Sequence, residues 1–473
     1  MKFLSRSTVL FTLLLPVALI AQSTPVGGPL ETNTVWSPAM GTILVYSNVV
    51  VTSNATLTIE AGTTVRLTNG LSISAQAGSR IEIQGTASDR VLVLPMVGNN
   101  RWGTLSAGGN ASSLAIRHAE IAFGGVNLGS QATGLIEDSY VHDVTSAIVA
   151  NSAKFVTIRR VHVKNYSETI YNSGTVILAE DSLFENMTPA NSDALEIQGG
   201  PPGSIIRRCT FRHSSGSNSD ALDFNGTSGV VVEDCLVYDF SDKGVSMGAS
   251  GAGGSPDYGM TIRNCFIYNV NIGVAVKDGT TCGLYNNTIA DSAYALQLYQ
   301  KFTTPVDGGH VTNSYNNILW GNTTSVRLTN NSTLIASYSD IQGTNWPGAG
   351  NINSDPFFLN PIQHDERLAA NSPAVRTGYL GGNMGVTFPV GAPMALSHPR
   401  FESVTRGGSN VLLGFWADSE KSYSLQYTDS LDGGTWLALT NLPTRALPTF
   451  IAITDNVPAD APRFYRLITP EQP

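Results

Sequence analysis

Charge is scarce in this chain. Lysine, arginine, aspartate and glutamate make up 13% of its 473 residues, and 27 basic against 36 acidic residues leave a net charge of -9. Without a basic footprint the chain is not expected to bind nucleic acid, because phosphate contacts need one. A sulfated or uronic polymer would need local lysines or a bridging cation. Long apolar runs are also missing after residue 20, so no membrane span is expected. Cysteine is limited to four residues. Cys209, Cys235 and Cys265 recur at one position of three successive repeats, which predicts a stack of buried free thiols rather than disulfides. Cys282 lies outside that column and is expected to be free. What is present is 42% hydrophobic residues, which excludes wholesale disorder, and 47 glycines among many Asn, Ser and Thr. That mixture predicts an all-β protein. At the start, Lys2 and Arg6 precede an apolar run from Val9 to Ile20, with small residues at Ala21 and Ser23. The order is that of a secretory signal peptide over residues 1–23, so the protein is expected to be secreted or held at the cell surface.

The chain repeats itself. Asn191-Ser-Asp-Ala-Leu-Glu-Ile197 returns as Asn218-Ser-Asp-Ala-Leu-Asp-Phe224, and Asp242-Lys-Gly-Val-Ser-Met247 occupies the equivalent place one repeat later. Recurrence at this interval marks a solenoid, in which equivalent residues stack as ladders. One strand of the repeat reads Val126-Asn-Leu128, Ile148-Val-Ala150, Leu195-Glu-Ile197, Leu222-Asp-Phe224, Val245-Ser-Met247 and Val274-Ala-Val276, with the outer residues apolar and the middle one free. A second strand is expected at Ile136–Val141, Ile158–Val163, Ile206–Phe211, Val232–Val237, Ile262–Ile267 and Leu284–Ile289. No Leu/Asn consensus or helical periodicity supports a leucine-rich repeat, and the units are too short for propeller blades. The expected architecture is a right-handed parallel β-helix over residues 24–380. A Gly- and Pro-rich linker over 381–399 and a small fibronectin-like β-sandwich over 400–473 follow, and a monomer is expected.

Small inward positions fall at 119, 139, 161 and 182 and then, more widely spaced, at 209, 235 and 265. The added residues are expected in turns at Glu185–Ser192, Arg212–Ser219 and Gly248–Tyr258, which bracket an acidic ladder. Aligning the repeats puts Ser146, Glu168, Asp193, Asp220, Lys243, Ile272 and Tyr294 in one column. Glu196, Asp223, Ser246, Ala275 and Gln297 share a second, and Gln198, Asn225, Gly248 and Lys277 a third. Between the first two run Ala147, Ala194, Ala221, Gly244, Gly273 and Ala295, which predicts an open floor beside the charges. Equivalent residues of adjacent turns lie about 4.8 Å apart, where two carboxylates repel by roughly 3 kcal/mol at an effective dielectric near 20. Lys243 supplies one compensating charge. Calcium on Asp193, Asp220 and Asp223, helped by amides such as Asn225 and Gln198, would supply more. Alternatively one carboxyl keeps its proton, as a general acid does. The plain structural reading is that such residues cap turn backbone, which is the expectation for the column Asp138, Asp181, Asp234 and Asn264. His213, in an added turn, is expected to be solvated, and His142 and His162 are given no role.

The segment resembles two families of secreted β-helix enzymes, in the pectate lyase and polygalacturonase-like superfamily. Asn191-Ser-Asp193, Ser219-Asp220, Asp242-Lys243-Gly244 with Val-Ser-Met-Gly248, and Ala275-Val-Lys277 follow the order and spacing of polygalacturonase motifs. A lysine stands in place of their histidine and an alanine in place of their arginine. Ser219-Asp220-Ala-Leu-Asp223, with Asp193 one turn earlier, resembles the calcium-binding Asp-Asp-x-x-Asp of pectate lyases. The resemblance implies an exported protein acting on an extracellular, uronate-containing polysaccharide. In a calcium-assisted lyase, Asp193, Asp220 and Asp223 would hold Ca²⁺ and Lys243 or Lys277 would abstract a proton. In a glycoside hydrolase, Asp193 and Asp220 would be acid and base. Glu196, Gln198 and Asn225 are the expected substrate-binding residues in either case. The departures from both motif sets favour the alternative, a non-catalytic surface or adhesion protein that binds glycan.

Overall fold

The computed structural model describes residues 22–304, 306–343, 345–392, 401, 403–417, 421–430, 435–445, 449–458 and 462–469. The expected signal peptide therefore lies almost wholly outside the described residues, as does the linker from 393 to 399.

From Ser23 onward the strands pair in parallel with the equivalent strand of the next turn. One face is a 13-stranded sheet running from Thr34–Trp36 to Thr333–Leu334. The other strands form two further faces, which long strands cross without a break, among them Thr42–Val51, Tyr140–Asn151, His162–Ser173, Leu236–Gly248 and Phe266–Lys277. The chain is a parallel β-solenoid whose interior is one continuous apolar cluster, from Trp36 and Ile43 to Leu319 and Ile341.

Each expected second strand is in fact two strands meeting at a corner. Asp138, Arg160, Arg208, Asp234, Asn264 and Asn286 adopt left-handed backbone, with φ between 49° and 55°. A single residue in this conformation turns the chain sharply, and Asn and Asp tolerate it best among residues with a side chain. Arginines also occupy the corner, each paired to the aspartate one turn earlier: Arg160 to Asp138 at 2.6 Å and Arg208 to Asp181 at 2.6 Å.

Past each corner the small column points inward. Cys209, Cys235 and Cys265 are buried free thiols, as is Cys282. The column continues as amides. Asn287 donates its backbone N–H to Asn317 Oδ1 at 3.0 Å and Nδ2 to the same oxygen at 2.9 Å.

Parallel pairing ends with the Asp340–Ile352 bridge. Phe358–Asn360 and Asp365–Leu368 then form an antiparallel pair. Residues 381–392, expected to be linker, are packed against the solenoid. Val386, Phe388 and Val390 cover Leu236, Tyr238, Phe266 and Tyr268. The Thr387 N–H reaches Asn264 Oδ1 and the Ala392 N–H reaches Thr210 Oγ1, so the segment runs back over earlier turns. Beyond it, two three-stranded antiparallel sheets share a core of Val411, Leu413, Phe415, Tyr423, Leu425 and Leu467, the arrangement of a small β-sandwich.

Candidate functional site

The acidic ladder falls where the repeats align. Glu196 pairs with Asp223 and Asp223 with Ser246, while Gln198 pairs with Asn225 and Asn225 with Gly248. Leu195, Ile197, Leu222 and Phe224 are wholly buried on the inner side. Strand alternation therefore turns Glu196, Gln198, Asp223 and Asn225 outward as a half-buried row.

The first column stacks through its own side chains. Asp193 Oδ1 accepts the Asp220 N–H at 3.0 Å, and Asp220 Oδ1 accepts the Lys243 N–H at 2.9 Å. Both aspartates thus cap backbone in the next turn, as the plain structural reading expects. The expected floor is not exposed. Ala194, Ala221 and Ala295 are wholly buried, and a Cβ on Gly244 would come within 2.7 Å of Ile267 Cγ2. The bend between the two faces points these positions into the core, and the close approach keeps them small.

One oxygen from each of Asp193, Glu196 and Asp223 lies within 4.8 Å of the other two. Asp220 stands apart from this trio and turns to Lys243 Nζ, which is 3.3 Å from its Oδ1 and also bonded to Asp242. Burial, then the charges of Asp220 and Asp223, push the Asp193 carboxyl up to about 8. Burial and then Asp223 also raise Glu196, against the hydrogen bond from Gln198. Burial lifts Asp220 to about 6 despite Lys243. Among the trio, Asp223 Oδ1 is buried and receives no hydrogen bond. Gln198 donates an amide N–H to Glu196 at 2.5 Å and Asn225 donates one to Asp223 at 2.6 Å. An all-oxygen, amide-flanked trio with an orphaned carboxylate oxygen fits a calcium ion.

The two candidate lysines differ sharply. Burial would lower Lys243, but Asp220 and Asp242 outweigh it and raise it, so its amine stays protonated. Lys277 is buried, donates to Ser246 Oγ at 2.7 Å and lies 4.0 Å from Asp223 Oδ1. Burial lowers its pKa, which favours the neutral amine a base requires. Gly248 makes room for it, since a Cβ there would meet Lys277 Cε at 2.8 Å.

The lengthened turns fix the borders of the row. Wholly buried Asp257 accepts the Thr227 N–H at 2.6 Å and the Gly248 N–H at 2.8 Å, tying the Gly248–Tyr258 insertion to the turn that follows Leu222–Asn225. Its position in the Gly248–Tyr258 insertion was the only sequence signal for that role. Glu185 and Arg212, expected in added turns, lie instead on neighbouring strands in a buried ion cluster, 2.6 Å apart, with His162 and Lys164 each 2.9 Å from Glu185. His213, expected in solvent, is largely buried and meets Asp239 at 2.8 Å. The αL turn at His213 swings the ring back against the strands.

No curated protein matches the sequence. Among solved structures, the chain is similar to the catalytic domain of a GH87 α-1,3-glucanase in complex with tetrasaccharides, at 12% identity and TM-score 0.34 over 62% of this chain. It spans 65% of the length of that domain. It is also similar to an alginate lyase from Paenibacillus sp., at 14% identity and TM-score 0.24 over 57% of this chain and 91% of the other. Likeness this loose carries no argument about chemistry. Residues 146–356, which contain the whole acidic row, match the family model of the right-handed beta helix region.

Proposed function

We propose that this chain is an exported protein that acts on an extracellular, uronate-containing polysaccharide along the outward row of the solenoid. The observation that carries this reading is the Asp193, Glu196 and Asp223 trio, three close carboxylates of which Asp223 Oδ1 is buried and receives no hydrogen bond. Calcium held there would bridge the protein to a uronate and make the hydrogen at C5 more acidic. Lys277, the lysine whose amine burial favours in the neutral form, is the base in this scheme. It takes the C5 proton, the C4–O bond breaks, a C4=C5 double bond forms, and the departing oxygen acquires a proton. Lys243 has a positioning role, holding Asp220. Gln198 and Asn225 hold Glu196 and Asp223 in place through their amide N–H groups, at the edge where a sugar chain would lie.

The raised pKa of Asp193 favours a second reading, in which it serves as a proton donor to a glycosidic oxygen and Asp220 as the base of a hydrolase. One assay separates the readings. The purified protein is incubated with polygalacturonate or alginate, with calcium or with EDTA, and ultraviolet absorbance of unsaturated uronate and reducing ends are both followed. The lyase reading predicts a calcium-dependent rise in absorbance that Lys277→Met lowers by roughly 100-fold or more. Reducing ends without absorbance would support the hydrolase. Silence on every polymer, with glycan binding unchanged in Asp220→Ala, would contradict both and leave a display or adhesion protein.

A further inference from the structure

A second cluster lies outside the acidic row, where the chain leaves the solenoid. Asp291 follows the strand Thr288–Ala290, His364 ends the short helix Pro361–Gln363, and Glu366 lies on Asp365–Leu368. His364 Nδ1 is 3.3 Å from Asp291 Oδ2 and 3.7 Å from Glu366 Oε1, and one ligand atom from each residue lies within 4.8 Å of the others.

Both His364 contacts are ion-pair contacts without well-aligned hydrogen-bond geometry. The Glu366 side chain is fully buried, and both its oxygens and His364 Nδ1 lack hydrogen-bond partners. A buried carboxylate in that state is costly. The neighbouring Arg367 does not relieve it, because its guanidinium is bonded to Asp365 at 2.6 Å. The imidazole is also held in place, stacked on Tyr268 with centroids 4.1 Å apart.

The separations fall within ion-pair range, and they also suit a metal. Zinc bonds of about 2.0–2.1 Å in a tetrahedron set ligand atoms roughly 3.3–3.4 Å apart, which matches the 3.3 Å between His364 and Asp291, while Glu366 at 3.7 Å would move in slightly. An imidazole with two carboxylates suits zinc and its neighbours, whereas calcium takes oxygen alone. Glu366 and Asp291 also border an open cleft of about 500 Å³ next to Trp320 and Phe358, which would leave room for a fourth ligand.

We propose that Asp291, His364 and Glu366 form a zinc-type divalent metal site that clamps the returning segment onto the solenoid. The full chain, stripped of metal, is titrated with Zn²⁺ by calorimetry and with Co²⁺ by visible absorption. The expected result is one high-affinity ion per chain, a raised melting temperature, and affinity at least ~10-fold weaker in His364→Ala. Glu366→Gln keeps the shape and removes the buried charge, so it should fold while losing the zinc response. Asp223→Ala should retain that response, which separates this site from the acidic row. Absence of binding in the parent chain, or binding unaltered in both His364→Ala and Glu366→Gln, would overturn the proposal.

Discussion

Asp193 shows how one side chain can serve structure and chemistry at once. Its carboxylate caps the Asp220 N–H, yet burial beside two other acids brings its pKa to about 8, against 3.8 for an ordinary aspartate. A raised acid is favourable to the fold only while protonated. The unfolded chain releases this proton near pH 4 and the folded one near pH 8, so stability falls as pH rises between them. Asp193→Asn keeps an oxygen acceptor and loses the charge. In metal-free buffer at pH 8 it should be more stable than the parent by at least about 1.4 kcal/mol, the equivalent of one pKa unit, and no different at pH 4; urea titrations at both values check this. Glu185 behaves in the opposite sense. Burial works against its carboxylate, but Arg212, His162 and Lys164 outweigh it and hold its pKa well below the usual range. Its contribution is present above the ordinary carboxylate pKa and is lost as pH falls through the depressed one. Glu185→Ala strands buried cations and should cost about 3–5 kcal/mol near neutrality, read as a lower urea midpoint.

At the scale of elements, the ladders were legible in the sequence because register in a parallel stack repeats the chain itself. The row of Glu196, Asp223 and Ser246 could therefore be aligned by hand, and so could the thiol column. The corners were not legible. A turn made by one αL residue, such as Asp138 or Arg208, inserts no extra residues, so two strands read as one. The small strip between the columns reads as an open floor, yet the bend turns Ala194 and Ala221 inward. The Glu185 cluster and the docking of residues 384–392 depend on contacts between distant segments, which leave no local pattern. That strap makes its own prediction. Phe388 is partly buried and packs edge-on against Phe266, with centroids 5.7 Å apart. Phe388→Ala should cost about 2 kcal/mol, less than a fully buried Phe, and should speed hydrogen exchange in residues 384–392 before the solenoid itself opens.

For the molecule as a whole, a net charge of -9 repels an acidic polymer unless a cation intervenes. The rigid stack supplies what a bound cation requires, with carboxylates from adjacent turns fixed by backbone pairing and bordered by turns that Asp257 holds together. The central claim is therefore that the trio of Asp193, Glu196 and Asp223 is a calcium site, and thermal melting with calcium against EDTA tests it most directly. Calcium at a hundredfold excess over its Kd should stabilise the parent by about 2.7 kcal/mol, seen as a higher Tm that EDTA reverses and that Asp223→Ala abolishes. A Tm indifferent to calcium and EDTA, or an equal response in Asp223→Ala, would contradict it.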